Sequence, residues 1–273
     1  MTAALLKDVS QGLVSGRLAP FLGPACLVLD GPSPLPESSL ALVARLNAKV
    51  TVPGRIRNNL WSAAQFIEAE KHRVTLVRLM QELFSAQSEP TRLHTWLAGL
   101  DLPLIVDDWY DSLMADALTA AGKSFGQIQG VRRSGHSHDV PWVKRYDAAG
   151  AEVESSEGWP TVLYKPQGSV RPAANFLVSD SDYVEVLTEI DIQSPIPAEV
   201  IERRTNVGFV FLGCRFYDQM QRTYAMQITK RSAGPHYAVV SGDLSRNEEA
   251  FLERQSIQRI DIGLADAVTQ LIG

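Results

Sequence analysis

Cysteine is nearly absent: the chain has two, Cys26 and Cys214. Two thiols make no disulfide framework and cannot complete a zinc site alone, and so few suit a reducing compartment. A basic excess is missing too. Lys and Arg number 26 against 31 Asp and Glu, a net charge of −5, which excludes the basic face of a dedicated nucleic-acid binder. No apolar run approaches the ~20 residues of a membrane helix. Met1-Thr-Ala-Ala-Leu-Leu-Lys-Asp lacks the charged start and long apolar stretch of a secretion signal. Repeats and low-complexity tracts are also lacking. What remains is an ordinary globular composition, 45% hydrophobic and 21% charged over 273 residues, long enough for a core without staples. The expectation is a cytoplasmic protein, residues 1–273 forming one domain, with no membrane or nucleic-acid partner.

Short apolar runs alternate with helical periodicity along most of the chain. Leu5, Leu6, Val9 and Leu13 share a helix face, and Leu18-Ala-Pro-Phe-Leu-Gly-Pro reads as a buried strand stopped at a tight turn. Helices are predicted over about 38–48, 58–84, 91–100, 110–121, 181–190, 217–230, 245–255 and 264–272. Further strands are predicted at Leu102–Asp108, Thr161–Lys165, Phe176–Val178, Gly208–Gly213, Tyr237–Val240 and 259–262. These strands are continuous apolar runs, not alternating ones, which signals a parallel sheet buried on both faces. The fold class is therefore α/β, a Rossmann-like doubly wound parallel sheet. A polar, Gly-rich stretch at approximately 122–160 reads as a small insertion. Such sheets bind ligands beyond the carboxyl ends of their strands, which singles out residues 23–27, 107–111, 165–170 and 213–218.

Those four segments, in that order, resemble the sirtuin-like family, and most nearly its short bacterial branch. Phe21-Leu-Gly-Pro-Ala-Cys-Leu stands where the family has an apolar strand and a Gly-Ala-Gly turn ending in Ser. Leu104-Ile-Val-Asp-Asp-Trp-Tyr-Asp resembles a strand followed by Thr-Thr-Asn-Tyr-Asp, and Lys165-Pro-Gln-Gly-Ser resembles Lys-x-His-Gly-Ser. Phe211-Leu-Gly-Cys-Arg-Phe-Tyr-Asp is similar to a strand ending Leu-Gly-x-Ser-x-x-Asp, and Ser179-Asp-Ser-Asp-Tyr to the family's Thr-x-x-Asp-Tyr. The resemblance implies a sirtuin-like strand order and a pocket that binds NAD and cleaves its nicotinamide–ribose bond. It places Gly23, Ala25, Gly168, Gly213 and Arg215 around the nucleotide crevice. In that pocket small residues let the backbone approach a pyrophosphate, an Asn orients water or ribose, and a His acts as general base.

The chain departs from the family at each chemical position. Pro24 removes an N–H donor, Ala25 replaces the second Gly, and Leu27 replaces Ser. Trp109 stands in the Asn position, Gln167 in the His position and Arg215 in place of Ser. Gln has no proton to titrate near neutral pH. The expectation is a catalytically degenerate protein with no favoured cofactor, acting as a protein-binding, regulatory or protective factor. The alternatives are an NAD-consuming hydrolase with a rebuilt site, Asp108 serving as base, and a nucleotide sensor without turnover. Trp109-Tyr110-Asp111 and Gly213–Met220 resemble a branch encoded near nitrogen-fixation genes in bacteria. That resemblance implies a nitrogenase component, or its assembly machinery, as partner.

Other residues carry two readings each. Asp107, Asp108 and Asp111 serve either as base or metal ligands, or as helix caps. His136 and His138 are either metal ligands or solvated loop residues, and Cys26 and Cys214 either a reactive pair or small buried hydrophobes. Arg215 either clamps an anion or pairs with Asp107, Asp108 or Asp218. Arg132, Arg133, Trp142 and Trp159 in the insertion are the candidate partner-binding residues, because Arg and Trp dominate interface energetics. The competing reading tucks both Trp side chains against the sheet.

Overall fold

A computed structural model describes residues 2–132, 141–189 and 196–273. Helix α1 (Thr2–Val14) leads into strand β1 (Leu18–Leu22), a 3-10 turn (Pro24–Val28), α2 (Ser39–Lys49), α3 (Leu60–Phe84) and α4 (Arg92–Gly99). The middle of the chain supplies β2 (Leu104–Asp107), α5 (Leu113–Ala120), β3 (Phe125–Gly130), β4 (Val143–Asp147), β5 (Glu152–Val153) and β6 (Thr161–Lys165). A two-stranded ribbon, β7 (Gly168–Ser169) with β8 (Asn175–Phe176), precedes α6 (Asp180–Glu189) and α7 (Ala198–Arg204). The remaining elements are β9 (Gly208–Leu212), α8 (Gln219–Thr229), β10 (His236–Val239), α9 (Arg246–Arg254), β11 (Ile257–Ile260) and α10 (Leu264–Ile272).

The main sheet runs β11-β10-β9-β1-β2-β6-β3-β4-β5, parallel from β11 through β3 and antiparallel beyond. This is the doubly wound α/β architecture that the apolar runs imply. Its strands are buried on both faces because helices cover both. On one face α1, α4, α5 and α10 place Leu6, Leu13, Leu97 and Leu271 against Leu22, Ile105 and Leu163. On the other, α2, α3, α7 and α8 bury Leu42, Ile67, Val200 and Ile228 against Phe21, Val106 and Phe211. From β1 the chain winds outward through β2. It later returns to β9 on the other side of β1 and winds away through β10 and β11. The β1–β9 junction is thus the topological switch point, where such sheets open a crevice.

The structure departs from the sequence reading at three places. Phe125–Gly130, read as part of an insertion, is a fully buried strand lying parallel to β6. Its glycines are sites of close packing: a Cβ on Gly126 would lie 2.1 Å from the Trp159 ring, and one on Gly130 2.1 Å from the Pro166 carbonyl oxygen. The helix expected at 110–121 starts only at Leu113, because Trp109–Ser112 form a buried turn. The long α3 is broken at His72, whose φ of 66° is left-handed and takes the backbone out of the helix. Among the described residues no helix is long and apolar enough to cross a membrane.

Candidate functional site

At the switch point the turns after β1 and β9 bond to each other. The Gly23 N–H donates to the Leu212 carbonyl (2.9 Å) and the Ala25 N–H to the Gly213 carbonyl (3.1 Å). A Cβ on Gly23 would stand 2.5 Å from the Gly213 carbonyl oxygen, so only glycine fits. Gly213 has φ of 69°, and a Cβ there would meet the Cys26 amide nitrogen at 2.7 Å. The Gly23 and Ala25 N–H groups are thus used within the protein, and Pro24 has none to offer. Cys26 and Cys214 flank this seal, both thiols directed at the Leu212 carbonyl (3.3 and 3.6 Å). Burial pushes both thiols well above their ordinary range, the behaviour of inert thiols and not of a reactive pair.

Beyond β2 and β6 the segments 108–111 and 167–170 are strapped together, the Val170 N–H donating to the Tyr110 carbonyl at 2.8 Å. Gln167, which the resemblance sets in the position of the family's His, is buried. Its Nε2 donates to Asp108 Oδ1 (2.8 Å), and its Oε1 lies 2.9 Å from the hydroxyls of both Tyr110 and Tyr183. Both hydroxyls also reach the Leu177 carbonyl (2.7 and 3.0 Å). Burial raises Asp108 well above the carboxylate range and outweighs the Gln167 hydrogen bond that opposes it. On the other face of the sheet Lys165 Nζ meets Asp107 Oδ2 at 2.6 Å with both side chains buried. Burial lifts Asp107 to about 7 against the pull of the Lys165 ammonium. Below them His94 is held at about 4, first by burial. Gly168, placed in the nucleotide crevice by resemblance, is used in the β7–β8 ribbon: its φ is 81° and a Cβ would lie 2.0 Å from the Asn175 carbonyl oxygen.

The indole of Trp109 is taken up by the core. It is buried, its Nε1 donates to the Pro36 carbonyl (2.7 Å), and its ring packs on Tyr110 and edge-on to Phe84. Capping of α5 falls to Asp111, whose Oδ1 accepts from the Leu113 N–H (2.9 Å), and not to Asp107 or Asp108. Arg215 pairs with none of Asp107, Asp108 and Asp218. It turns outward to Glu248 on α9, with Nε–Oε1 2.8 Å and Nη2–Oε2 3.1 Å. Burial would raise Glu248, but Arg215 and the Ser245 N–H and hydroxyl overcome it and bring the carboxyl down to about 2.

Of the candidate partner-binding residues, Arg132, Trp142 and Trp159 are engaged within the chain. Arg132 binds Glu68 (2.7 Å) and Asp182 (3.3 Å). Trp142 and Trp159 are partly buried against the core, and Trp159 lies flat on Gly126. Arg133, His136 and His138 lie outside the described residues. Among the described residues no group of three His, Cys, Asp or Glu side chains is placed to hold a metal. Beside the sealed turns lies an open groove of about 650 Å3, where the first residues of α2, α3, α6 and α8 converge. Trp61 forms part of its floor, its Nε1 donating to Asp218 Oδ2 (2.8 Å), while Leu40, Val184 and Tyr217 stand exposed at its rim. Glu248 and Trp61 are site residues that sequence reasoning did not single out, and Lys165 and Tyr183 stood inside quoted motifs with no role assigned to them. Only Lys165 left a signal, a lone charge ending a buried apolar strand beside a strand that ends in Asp-Asp.

A family model for the SIR2-like domain matches residues 103–260, more than half of the chain. No curated protein matches it. The chain belongs to the SIR2-like family.

Proposed function

For a SIR2-like chain whose switch-point turns close on each other, we propose a protein that does not cleave NAD and acts by contact with another protein. The observation that carries this reading is Gln167 in the position of the general base, buried and held by Asp108, Tyr110 and Tyr183. An amide accepts no proton near neutral pH, and a positioned base is worth roughly 10²–10⁴-fold in rate. The branch resemblance directs the search for the partner to a nitrogenase component or its assembly machinery.

Incubation with NAD and measurement of nicotinamide release tests the first half. Wild type and Gln167→His release none above background, since the imidazole alone leaves the turns sealed. Release by wild type that disappears in Asp108→Ala overturns the reading and makes Asp108 the base of a rebuilt site. Retention of a nitrogenase component by the immobilised protein tests the second half.

The groove of about 650 Å3 favours a second reading, nucleotide binding without turnover. Calorimetric titration with NAD, ADP-ribose and ATP separates the two. Micromolar affinity, about −8 kcal/mol, without nicotinamide release supports the sensor.

A further inference from the structure

Helix α8 covers the sheet with a face that is not uniformly apolar. Tyr224, Gln227 and Ile228 stand at i, i+3 and i+4, the spacing that puts side chains on one side of a helix, and all three are buried. Together with Phe21, Val106 and Tyr164 from the strands they line a narrow cavity of about 30 Å3. The Tyr224 hydroxyl has no hydrogen-bond partner among the described residues, although a buried phenol ordinarily finds one. Tyr164 and Gln227 bring a second phenol and a carboxamide to the same space. Burial holds both phenols above their ordinary range, so each keeps its proton near neutral pH. None of the described residues that line the cavity is charged.

We propose that this cavity binds a short-chain neutral alcohol, its hydroxyl accepting a hydrogen bond from the Tyr224 O–H and donating one to the Gln227 carboxamide oxygen, its carbons lying against Phe21, Val106 and Ile228. Mostly apolar walls with a few polar groups that fix orientation are the usual build of a small-molecule site. A charged ligand is disfavoured, because burial strips its hydration and the lining offers no counter-charge. Water alone answers the polar groups and leaves the apolar walls wet, whereas an alcohol answers both. Size sets the rest. A water-sized body needs about 10–15 Å3 of such space, so the cavity takes a short unbranched chain and rejects a branched one. The site is separate from the sealed turns and stands whether or not NAD is cleaved.

Titration of the full chain, carbon-13 labelled at its Val and Ile methyl groups, with 1-propanol tests this by NMR. Branched tert-butanol and charged sodium propionate serve as controls. 1-Propanol is expected to shift the Val106 and Ile228 methyl signals saturably, and the two controls are expected to leave them in place. Tyr224→Phe keeps the ring and weakens 1-propanol binding by about tenfold, the equivalent of one lost hydrogen bond. Gln227→Leu weakens it in the same direction, and a thermal melt of each variant checks that it folds. Should Tyr224→Phe fail to fold, Gln227→Leu carries the same comparison. Three results overturn the proposal: no saturable shift with 1-propanol, which leaves the cavity to water alone; an equal response to propionate or tert-butanol; or wild-type affinity in the folded variant.

Discussion

Asp107 and Asp108 leave the end of β2 toward opposite faces of the sheet, and the two faces bury them by different means. Asp107 receives a full cation, Lys165, at 2.6 Å. Asp108 receives an amide, Gln167, backed by two phenols and a carbonyl. The ionic solution ties the fold to one partner, because a buried charge left alone is costly. The neutral solution shares the burden among several hydrogen bonds and tolerates a protonated carboxyl, which is the direction in which burial drives Asp108. Adjacent residues of one strand end thus sit in two chemical settings, because successive side chains of a strand point to opposite faces.

The sharpest way to break this contrast is Lys165→Met. It strands Asp107 and is expected to cost about 3–5 kcal/mol in denaturant unfolding, with most of the loss recovered in the Lys165→Met, Asp107→Leu double variant. A loss under about 1 kcal/mol would mean that Asp107 is already protonated in the fold and that the two faces are alike. The next effect is pH dependence on the Asp107 face. Burial, the larger cause, lowers His94 to about 4, aided by Lys165 and opposed by Asp111. The folded state therefore prefers neutral His94, while the unfolded chain takes up the proton near 6.5. The contribution is fully present above that value and is lost as pH falls from 6.5 to 4, on the order of 3 kcal/mol in all. Asp107, lifted to about 7, works in the opposite direction over the same window, so the His94 part is read as a difference: His94→Gln should gain stability relative to wild type as pH falls from 6.5 to 4. The smallest effect is expected on the neutral face. Gln167→Leu leaves Asp108 without its amide partner and removes the shared acceptor of both tyrosines, costing roughly 1–3 kcal/mol. A cost equal to that of Lys165→Met would erase the distinction between the faces.

The layered α/β architecture was legible because buried parallel strands write themselves as continuous apolar runs, and Gly208–Leu212 is the clearest of them. Strand β3 was not, since Phe-Gly-Gln-Ile-Gln-Gly alternates residues that strands disfavour, and its fitness depends on Trp159 and Pro166 from distant sequence. Even β1 carries a proline. It pairs with β9 along its length, but its ladder to β2 begins only at Phe21, one residue beyond Pro20 with its missing N–H. The four crevice segments were legible as a set and the structure brings them to one edge. Their partners were not, because the choice between Glu248 and three nearby aspartates for Arg215, or between crevice and core for Trp109, is made by packing across more than thirty residues of sequence. The kink at His72 left no signal in the periodicity, which continues on either side of it.

At its β5 end the sheet stops on a strand of only two residues, Glu152–Val153, and the Lys144–Glu152 ion pair (2.9 Å) lies across its pairing with β4. An arriving chain finds there almost no run of free amides and carbonyls to zip onto, and meets fixed charges where a flat apolar ribbon would invite it. The antiparallel hairpin therefore works as a hem. It finishes the broad parallel sheet against unravelling into shared β-structure with its neighbours at high concentration, a danger that a bare β3 edge, with its row of buried side chains, would present.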